Sequence, residues 1–383
     1  MSIHYRAAGN WVYLTGCADP NVPAAEQARR LYQELAEALK ESGAQVVQER
    51  IYGSLDAHAP VLAGRDQALA ACGQGGPLPP TYLEGAPCVG EGLAGVHIAA
   101  VAPETGQQPT AVADVTWQGR QCGRKVQRLG AEFVYIADVA GHIARQAAGG
   151  SRPDQAWAVL EAANELLAAQ GLSFADVVRT WVYLDDILSW YDDFNDARNG
   201  FYRRVGLLGR EMPCFLPAST GIEGSNPWGL ACAVDLLAVR RTAAGYPKVW
   251  AISNPRQREA YDYGSSFSRG ACVAEEDLTH VYVSGTAAID AAGHSVCHAD
   301  LDGQAEFTLR NVESLLAQAN AGFADICQAT VFLKRGTDPA ALQRALAATG
   351  LASFPAVVVW ADICREELLF EMDSEAIVGT RPH

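Results

Sequence analysis

The sequence predicts an α+β fold in which a single chain carries three copies of one strand–helix–strand unit with pseudo-threefold symmetry. Three observations predict it. The string VYLTG at 12–16 returns as VYIAD at 134–138 and as VYVSG at 281–285. Each string is followed by an amphipathic stretch that feeds a second β-rich run. Each copy then ends in another strand pair, at 81–101, 214–239 and 353–378. Units repeated in this way have one apolar face each to bury, and they bury it against one another.

The VY strings are short, β-branched and aromatic, and end on small or polar residues, as a strand entering a turn does. After the first, Leu31, Leu35 and Leu39 recur at four-residue spacing within Ala24–Tyr52, and Gly43 precedes a strand over Ala44–Tyr52. After the second, Leu160, Ala163 and Leu166–Leu167 share one face of a helix over Ala156–Gln170, and VVRTWVYL follows at 177–184. After the third, Leu309, Val312 and Leu315–Leu316 do the same over Glu306–Ala319, ahead of ICQATVFL at 326–333. A 3.6-residue period switching to a β-rich run is the signature of helix into strand. The second and third copies align without a gap, so that Leu166, Phe174, Asp176 and Val182 match Leu315, Phe323, Asp325 and Val331. The first copy is the most degenerate and keeps mainly Leu35, Ser42, Val47 and Tyr52. The expected units are 1–110, 111–245 and 246–383.

Composition narrows the partners. With 29 Lys and Arg against 44 Asp and Glu, the net charge of −15 opposes extended contact with nucleic acid or an anionic membrane. It leaves room for a small anion, because a few arginines dominate the field inside a cleft. The 10 cysteines include no CxxC pair and are scattered through apolar runs, which points to a reduced, cytoplasmic protein. No basic leader precedes an apolar stretch, and no run approaches the roughly 18 to 20 apolar residues that span a bilayer.

Familiar motifs sit in the later units. The third unit joins VYVSG, a helix carrying Asn311, the strand ATVFLK and a closing LLFEMDSEAIV. Over 265–378 it resembles the Rid (reactive intermediate deaminase) superfamily, with a looser likeness over 125–240 and a faint one before 105. FLPASTGIEG at 215–224, SSFSRG at 265–270 and DICREELLFEMD at 362–373 together resemble the chorismatases, enzymes that remove the enolpyruvyl group of chorismate as pyruvate. The resemblance implies a Rid/YjgF-like (chorismate mutase-like) fold. Simple Rid proteins are homotrimers with clefts between subunits, so three units in one chain imply an intramolecular pseudo-trimer and a monomer. The position matching their carboxylate-binding arginine falls near Ala356–Val357, where no arginine stands. A divergent imine or enamine hydrolase, or a non-catalytic small-molecule or protein-binding member, are the alternatives.

Glu371 is the leading catalytic candidate. It alternates with Leu369 and adjoins Phe370 and Met372, surroundings that raise a carboxyl pKa if the side chain enters a cleft. The resemblance implies that it protonates the terminal methylene of the vinyl ether; an acid on an exposed edge strand is the other reading. Arg269, in the Gly264–Gly270 segment, and Arg365, six residues before Glu371, are expected to clamp the two carboxylates, with surface ion pairs as the alternative. Tyr263, Ser219, Thr220 and Gly221 are second-line contacts. The PASTG stretch reads as a turn-rich loop, too polar for a core strand.

Ala287 and Trp360 are expected where product choice is set. The bulk of Trp360 leans slightly toward 3- or 4-hydroxybenzoate and away from a dihydroxycyclohexadiene carboxylate. Arg124 and Arg128 read as solvent-facing. Neither a HExxH motif nor a GxSxG elbow is present, and the GQGG run at 73–76 lacks the Lys-Ser/Thr of a phosphate loop, so no metal and no cofactor is expected. Cys364 and Cys327 read as unreactive buried thiols.

Overall fold

The computed structural model describes residues 1–73, 78–103, 110–209, 215–240, 247–347 and 354–379. Cys214 and most of the GQGG run lie outside the described residues. The first part of the chain contributes β1 (Ser2–Ala8), β2 (Trp11–Cys17), β3 (Gln45–Gly53), β4 (Thr81–Glu84), β5 (Ala86–Pro87) and β6 (Leu93–Val101), with α1 (Ala24–Ser42) and α2 (His58–Ala71). The second contributes β7 (Ala111–Trp117), β8 (Arg120–Arg128), β9 (Ala131–Ile136), β10 (Val177–Leu184), β11 (Ala218–Glu223) and β12 (Cys232–Arg240), with α3 (Val139–Ala147), α4 (Arg152–Ala169) and α5 (Tyr191–Arg204). The third contributes β13 (Lys248–Ile252), β14 (Gly270–Ala274), β15 (Leu278–Ala287), β16 (Ile326–Leu333), β17 (Ala356–Trp360) and β18 (Phe370–Gly379), with α6 (Leu301–Gln318) and α7 (Ala341–Ala347).

Three sheets follow one plan. Their shared strand orders are β1-β2-β6-β3-β4, β8-β9-β12-β10-β11 and β14-β15-β18-β16-β17, with β7 and β13 extending the second and third at the hairpin edge. In each, the strand after the long helix pairs parallel with an edge strand and antiparallel with the closing strand. This is an internally repeated architecture. The helices form for local reasons. Leu31, Leu35 and Leu39 give α1 a buried stripe, and Gly43, at φ 64, ends it in the left-handed cap that glycine tolerates best. Ser151 and Asp154 close a capping box at the start of α4. No helix among the described residues is long and apolar enough to cross a membrane.

The sheets meet through matching positions. Trp11, Phe133 and His280 each precede a VY pair, and their rings close a triangle with centroid separations of 5.2, 5.0 and 5.3 Å. Glu275 gathers all three parts of the chain there. It accepts from Trp11 Nε1 at 2.9 Å, pairs with His280 Nε2 at 2.8 Å and binds Arg128 Nη1 at 2.8 Å. Arg128 is therefore buried in an ion-pair cluster instead of facing solvent, because Glu275 and Asp277, in the turn after β14, take up its guanidinium. Arg124 is likewise mostly covered: its side chain is 16% exposed, pairs with Asp114 and donates Nη1 to the Val46 carbonyl of the first sheet, which corrects the solvent-facing reading.

The junctions between sheets are related but not equal. Thr81 on β4 donates to Asp235 at 2.9 Å, and Thr220 on β11 donates to Asp373 at 2.8 Å. At the corresponding point of β17 stands Val357. A Cβ on Gly95 would lie 2.8 Å from it, so that junction is filled by hydrocarbon.

Candidate active site

One junction opens into a cleft of about 220 Å³ between the second and third sheets. Its walls bring together Ser219, Gly221, Tyr263, Arg269, Ala287, Arg365 and Glu371 from the sequence analysis. Thr220 lies immediately behind the wall, fully buried. Trp360 is elsewhere, which corrects the expectation for it: β17 runs beside β16 with Trp360 opposite Ala86 of β5, and its indole packs on the third-unit core. The two-residue β5, from the first part of the chain, joins the third sheet, which sequence spacing did not signal.

Glu371 reaches the cleft through the register of β18. Phe370 and Met372 point into the apolar core of the third unit, so Glu371, Asp373 and Glu375 alternate onto the other face. Glu371 sits opposite Ala287 on β15 and Phe332 on β16. The β15–β18 register shifts between Val283 and Thr286, a bulge that brings Gly285 under the carboxyl. A Cβ at Gly285 would lie 2.2 Å from Glu371 Oε1, so only glycine leaves the acid its place. Burial first, and the Asp373 charge second, push the Glu371 pKa up to about 8, against a weaker pull from Arg269 and Arg179.

The cations around this acid are held by neutral groups. Arg269 donates Nε to the Arg258 carbonyl at 2.9 Å and Nη2 to the Tyr263 hydroxyl at 2.7 Å. Arg365 donates Nη1 to the Gly293 carbonyl at 3.0 Å and to Ser295 Oγ at 3.1 Å. Both guanidiniums lie over the Tyr263 ring, at 5.6 and 5.5 Å. Burial raises the pKa of the Tyr263 phenol, and Arg269 partly offsets this.

The PASTG stretch is corrected from loop to strand. Residues 218–223 form β11, a parallel edge strand on β10, and its polar groups are satisfied partly within its own sheet and partly across the junction. Ser219 N donates to Ser284 Oγ at 2.9 Å, and Thr180 Oγ1 donates to Ser219 Oγ at 2.9 Å. Hydroxyls that would burden an ordinary core strand here stitch two sheets together.

Sequence reasoning missed α5, which lays Tyr191, Asn195 and Arg198 along the opposite wall. Arg198 is 2% exposed, donates Nη2 to Asn195 Oδ1 at 2.6 Å, and stacks within 5.0 Å of the Phe194 ring and 5.7 Å of Phe267. The signal was present: Phe194, Arg198 and Phe201 stand at i, i+4 and i+7, an arginine inside an apolar stripe. Cys364 also lines the cleft, its thiol pushed up to about 12 by burial and by Glu371. Arg198, Arg269 and Arg365 thus face one small cleft with no salt-bridge partner among the described residues, and a proton-bearing acid lies between them. The arrangement suits a dianionic molecule that accepts a proton.

Residues 265–378 match the family model described as Endoribonuclease L-PSP. A chorismatase of Streptomyces hygroscopicus is 27% identical over 234 residues, 55% of this chain and 64% of the relative. A 3-hydroxybenzoate synthase of the same organism is 29% identical over 237 residues, 55% and 65% respectively. The match therefore spans just under two thirds of each curated relative. A crystal structure of a chorismatase superposes with a TM-score of 0.61 at 19% identity, covering 98% of this chain and 100% of that one. This chain is similar to the chorismatases. It has the Rid/YjgF-like fold, and its cleft lies between the part that the family model covers on one side and the second sheet on the other.

Proposed function

We propose that the chain converts chorismate, releasing its enolpyruvyl group as pyruvate, with Glu371 as the proton donor. The observation that carries this reading is the juxtaposition of a buried carboxyl, its pKa pushed up to about 8, with three arginines that make no salt bridge among the described residues. Arg269, Arg365 and Arg198 hold the two carboxylates of the substrate, and Tyr263 keeps the first two apart. Glu371 transfers its proton to the terminal methylene carbon. The positive charge then resides on the ether carbon as an oxocarbenium ion, flanked by the newly formed carboxylate.

Two outcomes follow chemically from that ion. Water attack gives pyruvate and a dihydroxycyclohexadiene carboxylate, consuming one water. Displacement by the ring's own hydroxyl consumes none, and the atoms of chorismate divide into pyruvate and hydroxybenzoate. We favour the second, to 3- or 4-hydroxybenzoate. Trp360 no longer supports it. Its support is the similarity to a 3-hydroxybenzoate synthase and the apolar wall of Phe267, Ala287, Ile289 and Cys364 around the acid.

The same reading takes the three sheets as units 1–110, 111–245 and 246–383 closed into a pseudo-trimer, and the chain as a monomer. Supporting it are the common strand order and the Trp11–Phe133–His280 triangle. The deciding assay mixes the protein with chorismate and follows pyruvate through lactate dehydrogenase, with the second product identified by mass and aromatic absorbance. Pyruvate release by the wild type and its loss in Glu371→Gln are expected. Absence of pyruvate above background would sink the reading.

A further inference from the structure

Three carboxyls stand in a row on one face of β18, all buried: Glu371 at the cleft, then Asp373, then Glu375. Two arginines from the other sheets serve this row. Arg179 on β10 donates Nη2 to Asp373 Oδ2 at 3.0 Å, and Arg50 on β3 donates Nη2 to Glu375 Oε1 at 3.1 Å. Both guanidiniums lie over the Trp181 ring, at 4.9 and 4.2 Å. Arg179 also donates to Thr220 Oγ1 at 2.6 Å, and that hydroxyl donates to the same Asp373 oxygen. Thr220 lies between Ser219 and Gly221 of the cleft wall, and its methyl sits beside the position that a Gly285 side chain would occupy. The knot therefore ties the wall strand β11 to the acid strand β18, one strand position behind the cleft.

Charge in this row is unequally served. Asp373 and Glu375 each have an arginine within ion-pair distance, while Glu371 has none among the described residues. Both the burial of Glu371 and the neighbouring Asp373 charge disfavour its anion. We propose that Arg179 and Asp373, neither of which lines the cleft, are positioning residues that decide which carboxyl of the row bears the proton: Arg179 holds Asp373 as the anion, and that anion keeps the proton on Glu371. This rests on Glu371 as the acid of the proposed reaction and adds what keeps it loaded.

Other titratable and charged groups face Glu371. Arg269 enters from the segment before β14, Tyr263 from the short turn Ala260–Tyr263 that precedes it, and Cys364 and Arg365 from the approach to β18. From α5 come Tyr191, Asp192 and Arg198. None of these contacts Asp373 in the row behind, so exchanging the Arg179–Asp373 charges leaves them in place.

The test is carboxyl titration by ¹³C NMR of the full-length protein labelled at Asp and Glu, with the Glu371 signal assigned by its absence in Glu371→Gln. In the wild type, Glu371 is expected to titrate far above the usual carboxylate range. In Asp373→Asn the Arg179 cation is left facing Glu371, and its midpoint is expected to fall by at least one pH unit. The double variant Arg179→Met, Asp373→Asn should recover at least half of that fall. A midpoint unmoved in folded Asp373→Asn, or no recovery in the double variant, overturns the proposal. Should Asp373→Asn fail to fold, Arg179→Met decides. The proton should then pass from Glu371 along the row, so the Glu371 midpoint falls, and a midpoint unmoved or raised refutes the idea. Because this readout needs no substrate, failure of the chorismate assay in the wild type would sink the proposed function without touching the proton assignment.

Discussion

Burial does most to raise the pKa of Glu371, and the same burial makes its replacement informative in two directions. As a proton donor it works only while protonated, so pyruvate release should hold through neutral pH and fall as pH rises through about 8. Glu371→Gln keeps the shape, cannot donate a proton, and should lower kcat by roughly 100- to 10,000-fold. Stability should move the other way. The folded-state pKa lies above the unfolded value, so folding favours the protonated form, and the contribution present in acid is lost as pH rises through about 8. Glu371→Gln should therefore melt above the wild type, by a margin that widens from pH 5 to pH 8 in thermal scans. Gly285 tests placement alone. A methyl there meets Glu371 Oε1, so Gly285→Ala should cost at least about 100-fold in kcat with little change in melting temperature.

At the scale of elements, α5 is the part of the site with most to reveal. Arg198 is pinned between Phe194, Phe267 and Asn195, so its guanidinium is aimed before any ligand arrives. Arg198→Met keeps the apolar stem and should raise KM roughly ten- to hundred-fold, the worth of a charge-assisted hydrogen bond, with kcat less affected. The residues of β18 were legible because alternation is a local property: Phe370 and Met372 inward require Glu371 on the other face. What escaped depended on partners far away in sequence. The hydroxyls of β11 look like a loop until Ser284, Arg179 and Asp373 are seen to satisfy them. Trp360 lies in the expected strand, but no local pattern announces β5, the dipeptide that pairs beside it. The apolar stripes of α1, α4 and α6 sufficed to place the long helices, whereas the shorter α5 carries its arginine inside the stripe and so reads as neither face.

For the whole molecule, the triangle of Trp11, Phe133 and His280 makes the three sheets depend on one another. Trp11 is fully buried and its Nε1 donates to Glu275 on the third part of the chain. Trp11→Ala should cost about 3 to 5 kcal/mol, and calorimetry should show one cooperative transition shifted down as a whole, not the early melting of residues 1–110 alone. The register also shows why the sheets differ in chemistry. The position of Glu371, opposite Phe332, is held by Ala233 opposite Tyr183 and by Gly95 opposite Tyr52. At Gly95 the Val357 side chain and the Gly16 carbonyl already occupy the space an acid would need.

The cleft is walled by α5 and β11 on one side and by β15 and β18 on the other, all from one polypeptide. Its halves cannot drift apart when the protein is scarce. Where such a cleft forms between separate subunits, dilution empties it; here the specific activity should stay flat from micromolar to picomolar enzyme, limited only by the sensitivity of the pyruvate measurement.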